Sequence, residues 1–334
     1  MNMKLSILLA FSIASCKHIP EQSVSDTLGT SFCTFPAGDS LCNDDWVPPL
    51  DPTYYGAQML HGIHYMCPSV NPNNPNQFVC FKLNTLFPPK TDIIIYDMQT
   101  DEERTLFTYN STIIGSLSWG KKDWIAYTSG QGTIRIFKSD GTGEHQIVAS
   151  SGMNFLTGYG PEWSPDGNHL YYSLGLPNVS NAVICDTSGN TISHAPIIPK
   201  PDWNNNNVFI GGGGTKVRMA ALSDSSAEII ASWTKQNILD EIISIEWLPD
   251  NRHAVFSKHY GLYRIDTQTG EILQMKDQCD MKNYSMLSVS NEGNFIFCQK
   301  RVSKKPSSQT LIYREEIWKM DINGCNEVRV LPRE

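Results

Sequence analysis

Short apolar runs alternate with polar turns through most of this chain, with the spacing of strands, not helices. The sharpest instance is Gly160-Pro-Glu-Trp-Ser-Pro-Asp-Gly-Asn-His-Leu-Tyr-Tyr-Ser-Leu174. Trp163 closes one short segment, Ser164 to Gly167 supply a turn, and Leu170-Tyr-Tyr172 begins the next strand. Proline presets φ for an early turn position, aspartate bonds its own backbone two residues on, and glycine takes the position with φ > 0. Leu, Tyr and Trp suit a pleated, half-buried surface, so both flanks read as strand. A lone hairpin of this kind is marginal in water and has to pack on copies or partners.

The copies are present. Trp119, Trp163, Trp203 and Trp247 recur at spacings of 44, 40 and 44 residues; Val289 continues the series 42 later, and Val70 begins it 49 earlier. Each is followed by a polar turn, such as Gly120-Lys-Lys-Asp123, Asn204-Asn-Asn-Asn207, Leu248-Pro-Asp-Asn251 and Asn291-Glu-Gly-Asn294. An apolar strand then returns: Trp124-Ile-Ala-Tyr127, Val208-Phe-Ile210, His253-Ala-Val-Phe256, Phe295-Ile-Phe297. A third strand often ends at an aspartate, as at Asp97, Asp186, Asp266 and Asp321. Units of 40–49 residues with four short strands are the pattern of a β-propeller blade. The pattern predicts an all-β, six-bladed β-propeller of four-stranded antiparallel blades over residues 61–334. Blade one is expected to carry an insertion at Asn84–Thr91, and blade six a basic, Ser-rich one at Lys300–Thr310. Gly211 to Gly214 read as a flexible blade loop, since the Gly-Lys-Ser/Thr ending of a phosphate loop is missing.

Charge narrows the partners. The chain has 26 Lys and Arg against 34 Asp and Glu, a net charge of −8. Tracking a phosphate backbone needs clustered basic residues, so nucleic acid is not an expected partner.

The first residues read as a targeting segment, with Lys4 ahead of an apolar run, Leu5 to Ala14, too short to span a bilayer. It ends in Ile13-Ala14-Ser15-Cys16, which resembles the lipobox of bacterial lipoproteins: an aliphatic residue, two small ones, and a cysteine that is acylated. The resemblance implies a signal peptide over 1–15 and lipidation at Cys16. Residue 17 is Lys and not the Asp of inner-membrane retention, which points to the outer membrane. Each buried acyl CH₂ contributes about 0.8 kcal/mol, so several chains anchor stably. Residues 16–60, rich in Ser, Asp and Pro, read as a tether.

Nine cysteines less Cys16 leave an even number in a chain bound for an oxidising compartment. Cys33 and Cys42 are candidates for a local disulfide. Cys67 and Cys80 flank the first hairpin turn almost symmetrically and are expected to face each other. Cys185, Cys279, Cys298 and Cys325 have no assignable partners. No Cys-x-x-Cys or Cys/His cluster suggests a metal, and no cofactor is implied.

Pro161-Glu-Trp-Ser-Pro-Asp-Gly167, with its five looser echoes, resembles the repeat of the TolB-type propeller family: Trp-Ser-Pro-Asp-Gly, a strand, then a segment ending at Asp. The resemblance covers about residues 61–332 and implies the fold. It implies little about activity, because the family's repeats occur in periplasmic scaffold proteins, peptidase propeller domains and oligosaccharide lyases. The residues ahead of the repeats are too few for the additional N-terminal α/β domain of TolB, so the expectation is a propeller without it.

Candidate chemistry is sparse. A serine-peptidase reading lacks the Gly-x-Ser-x-Gly elbow. His61 and His64 would diverge on a strand. The constellation that remains is the residue before each repeat position: Ser118, Glu162, Asp202, Glu246 and Ser288. Innermost propeller strands line a channel, so Glu162, Asp202 and Glu246 could converge there, bind a cation or basic group, and raise one another's pKa. The alternative is that they are solvated by channel water. The expectation is a monomeric, non-enzymatic envelope lipoprotein binding a protein or glycan through its loop face. The competing reading is a carbohydrate-active lyase or hydrolase at an acidic channel mouth.

Overall fold

A computed structural model of the chain describes residues 58–111, 115–129, 133–148, 160–173, 181–235, 241–258, 261–276, 282–307 and 310–333. No helix occurs among them; strands arranged as six sheets account for the fold. After a two-residue strand, β1 (Gln58–Met59), blade one comprises β2 (Ile63–Val70), β3 (Gln77–Asn84), β4 (Lys90–Asp97) and β5 (Glu102–Tyr109). Blade two is β6 (Leu117–Trp119), β7 (Trp124–Thr128), β8 (Ile134–Lys138) and β9 (His145–Val148). Blade three is β10 (Glu162–Trp163), β11 (Leu170–Tyr172), β12 (Asn181–Cys185) and β13 (Thr191–Pro196). Blade four is β14 (Asp202–Trp203), β15 (Val208–Gly213), β16 (Lys216–Ala221) and β17 (Glu228–Ser232). Blade five is β18 (Ile242–Trp247), β19 (His253–Lys258), β20 (Gly261–Asp266) and β21 (Ile272–Lys276). Blade six is β22 (Lys282–Val289), β23 (Phe295–Ser307), β24 (Thr310–Asp321) and β25 (Val328–Leu331).

Within each blade the strands pair antiparallel in chain order. The first strand of each blade packs beside the first strand of the next, and β22 packs beside β2, so the ring closes. Every blade is a continuous piece of chain. The seam between blades six and one is reinforced from the N-terminal side: β1 adds to β24 as a parallel strand, Gln58 opposite Ile312 and Met59 opposite Tyr313, while β25 pairs with the other part of β24. The segment read as tether therefore contributes a strand to the propeller.

Alternation along the strands builds the core. In β3, Phe78 and Cys80 face the seam with blade six, while Val79 and Phe81 face blade two. The side chains between blades are large and fully buried, including Tyr127, Tyr171, Phe209, Phe256 and Phe297. Each such side chain contributes about 1.5–3 kcal/mol by leaving water.

The repeat tryptophans belong to this packing. Trp163, Trp203 and Trp247 sit in three successive inter-blade clusters. A Cβ on Gly120 would lie 2.7 Å from the Trp163 ring, so the blade-two turn must be bare where the blade-three indole presses on it. The blade-three turn is held by Ser164 and Asp166, whose side chains bond each other and the N–H groups of His169 and Asn168. These bonds outweigh burial and hold the Asp166 carboxyl down at about 2.

Three local expectations are corrected. Cys67 and Cys80 are free, buried thiols and form no disulfide. Met66 pairs with Phe81 but Ser69 pairs with Val79, so β2 holds one extra residue, a bulge, and Cys67 has φ 55°. The extra residue turns Cys67 to the blade-two side, while Cys80 faces blade six. Burial pushes the Cys67 thiol up to about 12. Gly211 to Gly213 are not a loop but the end of β15; a Cβ on Gly211 or Gly212 would meet Ile198 or Ile242 at 2.2 Å. The blade-six insertion is largely strand, since β23 and β24 continue into it as one long hairpin. Cys16, Cys33 and Cys42 lie outside the described residues. Cys325 is disulfide-bonded.

Candidate functional site

The first strands of the six blades line a central channel with two chambers. The upper chamber opens on the face carrying the Ser164–Gly167 turn and its equivalents, here the turn face. Its volume is about 370 Å³, within the range of small-ligand sites. The lower chamber, about 90 Å³, opens on the opposite face, where the chain crosses between blades. Glu162 and Glu246 border both chambers and mark the waist.

The walls are layered by repeat position. Two residues before each repeat position lies an apolar or proline collar, Pro68, Leu117, Pro161, Pro201, Ile245 and Leu287, all lining the lower chamber. One residue before it lies a polar ring, Ser69, Ser118, Glu162, Asp202, Glu246 and Ser288, all lining the upper chamber. The carboxylates predicted from sequence are thus brought to one ring, and they occupy three consecutive blades.

The ring also joins blade to blade. The backbone N–H of four repeat residues, Val70, Trp119, Trp163 and Trp247, meets the ring side chain of the preceding blade. Val70 N–H donates to Ser288 Oγ at 3.1 Å, Trp119 N–H to Ser69 Oγ at 2.9 Å, and Trp163 N–H to Ser118 Oγ at 3.3 Å. Trp247 N–H donates to Asp202 Oδ2 at 2.5 Å, and Asp202 Oδ1 also accepts from Trp203 N–H at 2.7 Å. Glu162 and Glu246 are one methylene longer and break the series. Trp203 N–H, the donor that would meet Glu162, goes to Asp202 instead.

This asymmetry assigns the charge. Burial pushes the Asp202 carboxyl up to about 6, with the Trp247 and Trp203 N–H groups opposing. Glu162 is pushed well above the carboxylate range by burial first and the Asp202 charge second, against hydrogen bonds from Ser118 and Trp163. Glu246 is pushed up by burial, then by the charges of Asp202 and Glu162, with no hydrogen bond opposing. Two N–H donors favour the anion on Asp202, whereas burial and the neighbouring charges favour the protonated form of both glutamates. A cation entering the upper chamber would oppose that effect, favouring the ionised form of all three carboxyls.

The histidines do other work. His61 is exposed, whereas His64 is buried, accepting the Glu315 N–H at Nδ1 and bonding the Leu60 carbonyl through Nε2. Among the described residues no three His, Cys, Asp or Glu converge as a metal site, the waist trio included. The structure also shows a residue that the sequence reading missed. Lys200 lines the lower chamber, its ammonium bonded to the Ile242 carbonyl, and burial pulls its pKa down to about 8 against the pull of Glu241. The only sequence signal for it is its place between Pro199 and Pro201, just ahead of Asp202.

No family model and no curated protein sequence matches the chain. Solved structures do. One, from Agrobacterium tumefaciens and assigned as TolB, aligns with a TM-score of 0.52 at 11% identity, covering 71% of this chain and 87% of that one. The β-propeller domain of the Trilobed protease from Pyrococcus furiosus, described as having an open velcro topology, aligns with a TM-score of 0.51 at 12% identity, covering 80% and 97%. At such identities the likeness speaks for the fold alone, and it agrees with the layered repeat: in fold, the chain is a TolB-like six-bladed β-propeller.

Proposed function

We propose that the chain is a binding module of the bacterial cell envelope, tethered through Cys16. It holds a protein partner on its turn face by taking a basic side chain or an amino terminus into the upper chamber. The observation that carries this reading is the one-sided ring: carboxylates in three consecutive blades, of which Asp202 accepts the repeat N–H of the following blade. An ammonium or guanidinium group fits such a site because its charge offsets the burial and mutual repulsion that disfavour ionised carboxyls there. The envelope location rests on the Ile13–Cys16 motif together with the TolB-like fold.

The test is crosslinking in the native envelope from a photoreactive residue at Asn205, which lines the upper chamber. A defined adduct is expected. It should disappear when Glu162→Lys and Glu246→Lys reverse the local charge in a chain that still folds. An adduct that survives the charge reversal, or that forms equally from Ile192 on an outer strand, would defeat the proposal.

A further inference from the structure

We propose that a second surface, on the face opposite the turn face, is a lipid contact: Leu60, Ile63, Leu86 and Phe87 form an apolar patch that enters the interfacial layer of the bilayer to which the chain is tethered. Phe87 is 94% exposed and Leu86 55%, at the tip of the loop between β3 and β4; Leu60 and Ile63 are each 41% exposed. The two segments are one surface because hydrogen bonds join them. Thr85 N–H donates to the Gly62 carbonyl at 2.9 Å, and Gly62 N–H donates to Thr85 Oγ1 at 2.9 Å. The other large exposed apolar residues, such as Ile192, Ile229, Ile272 and Val328, are spread over the outer strands of different blades. Scattered exposure of that kind is ordinary, whereas a grouped aromatic and aliphatic cluster marks a contact surface.

What the patch meets follows from where the preceding chain arrives. The stretch that begins at Cys16 joins the propeller at Gln58, through β1, two residues before Leu60. This inference therefore rests on the lipid anchor in the functional reading above. A propeller held by acyl chains at the far end of that stretch is confined near the bilayer at an effective concentration of about millimolar. Four apolar side chains would recruit little protein from bulk water, but under that confinement a weak contact is populated. Phe and Leu on a loop stiffened by Pro88 and Pro89 suit shallow insertion, which has little dependence on salt. Membrane contact on this face leaves the upper chamber pointing away, toward a partner.

The experiment places an environment-sensitive fluorescent amino acid at position 87, and in a control at position 205, in the lipidated chain reconstituted in vesicles of phosphatidylethanolamine and phosphatidylglycerol. Position 87 should shift to the blue and be quenched by shallow nitroxide lipids, in low and high salt alike, while position 205 stays aqueous. The inference is overturned if position 87 behaves as position 205 does. Sedimentation of the chain from residue 17, without acyl groups, tests the patch apart from the anchor. Weak binding to the same vesicles should fall about tenfold with Leu86→Asp and Phe87→Asp together, and equal binding by both chains would overturn it. The mass of the Cys16 peptide reports lipidation separately, so a failed anchor and a failed patch are distinguishable. A dimer in light scattering that dissociates with the same double substitution would assign the patch to a second copy and also overturn it.

Discussion

Blades six, one and two present serine to the channel where blades three, four and five present carboxylates, on otherwise equivalent strands. In the serine half each hydroxyl accepts the N–H of the next blade, and the ring side chains carry no charge. The carboxylate half keeps one such bond, through Asp202, and places two ionisable side chains where a packing role does not need them. The same ring position therefore does two jobs, and side-chain length separates them. Serine and aspartate reach the neighbouring backbone; glutamate is left for the channel.

The comparison breaks first at Asp202. Asp202→Ala leaves the N–H groups of Trp203 and Trp247 without their acceptor, and should cost about 2–3 kcal/mol in urea unfolding. A cost below that of a serine truncation would show that the aspartate does not join blades. Ser69→Ala and Ser118→Ala should each cost about 1 kcal/mol, since each removes one neutral acceptor. Glu162→Gln with Glu246→Gln should change stability least at low pH and most visibly through its pH profile. Carboxyls whose folded pKa is raised bind more protons folded than unfolded, so their contribution is present below the unfolded value. It is lost as pH rises through the folded one. For Asp202 the window runs from about 4 to about 6, and for the two glutamates it extends higher. The native chain should lose stability between pH 5 and 7, and the double variant should lose less. Asp166, held at about 2, works in the opposite sense and only at much lower pH.

The sequence made the ring legible because tryptophan is rare and its spacing regular. The residue ahead of each tryptophan then marked the channel wall without further information. What stayed hidden depends on single-residue geometry. A symmetric turn put Cys67 opposite Cys80, yet one extra residue in β2 reversed Cys67, and nothing in Met66-Cys67-Pro68 announces a bulge. Four glycines suggested mobility, where the packing of Ile198 and Ile242 against β15 demands the absence of side chains. The serine bonds were unreadable because serine before an apolar residue is common in any strand. Strand β1 was missed because two residues, Gln58 and Met59, carry no periodicity.

That short strand decides how force enters the molecule. A pull on the N-terminal segment along its own axis does not reach the blade one–six seam directly. It first meets β1 laid parallel to β24, reinforced by the Leu60 N–H on the Tyr313 carbonyl at 2.8 Å. Bonds perpendicular to the direction of pull share the tension together, as in a lap joint, where bonds at a fraying end would open one by one. A load that arrives through the residues ahead of Gln58 is therefore spread over this pairing before it reaches the seam between blades six and one.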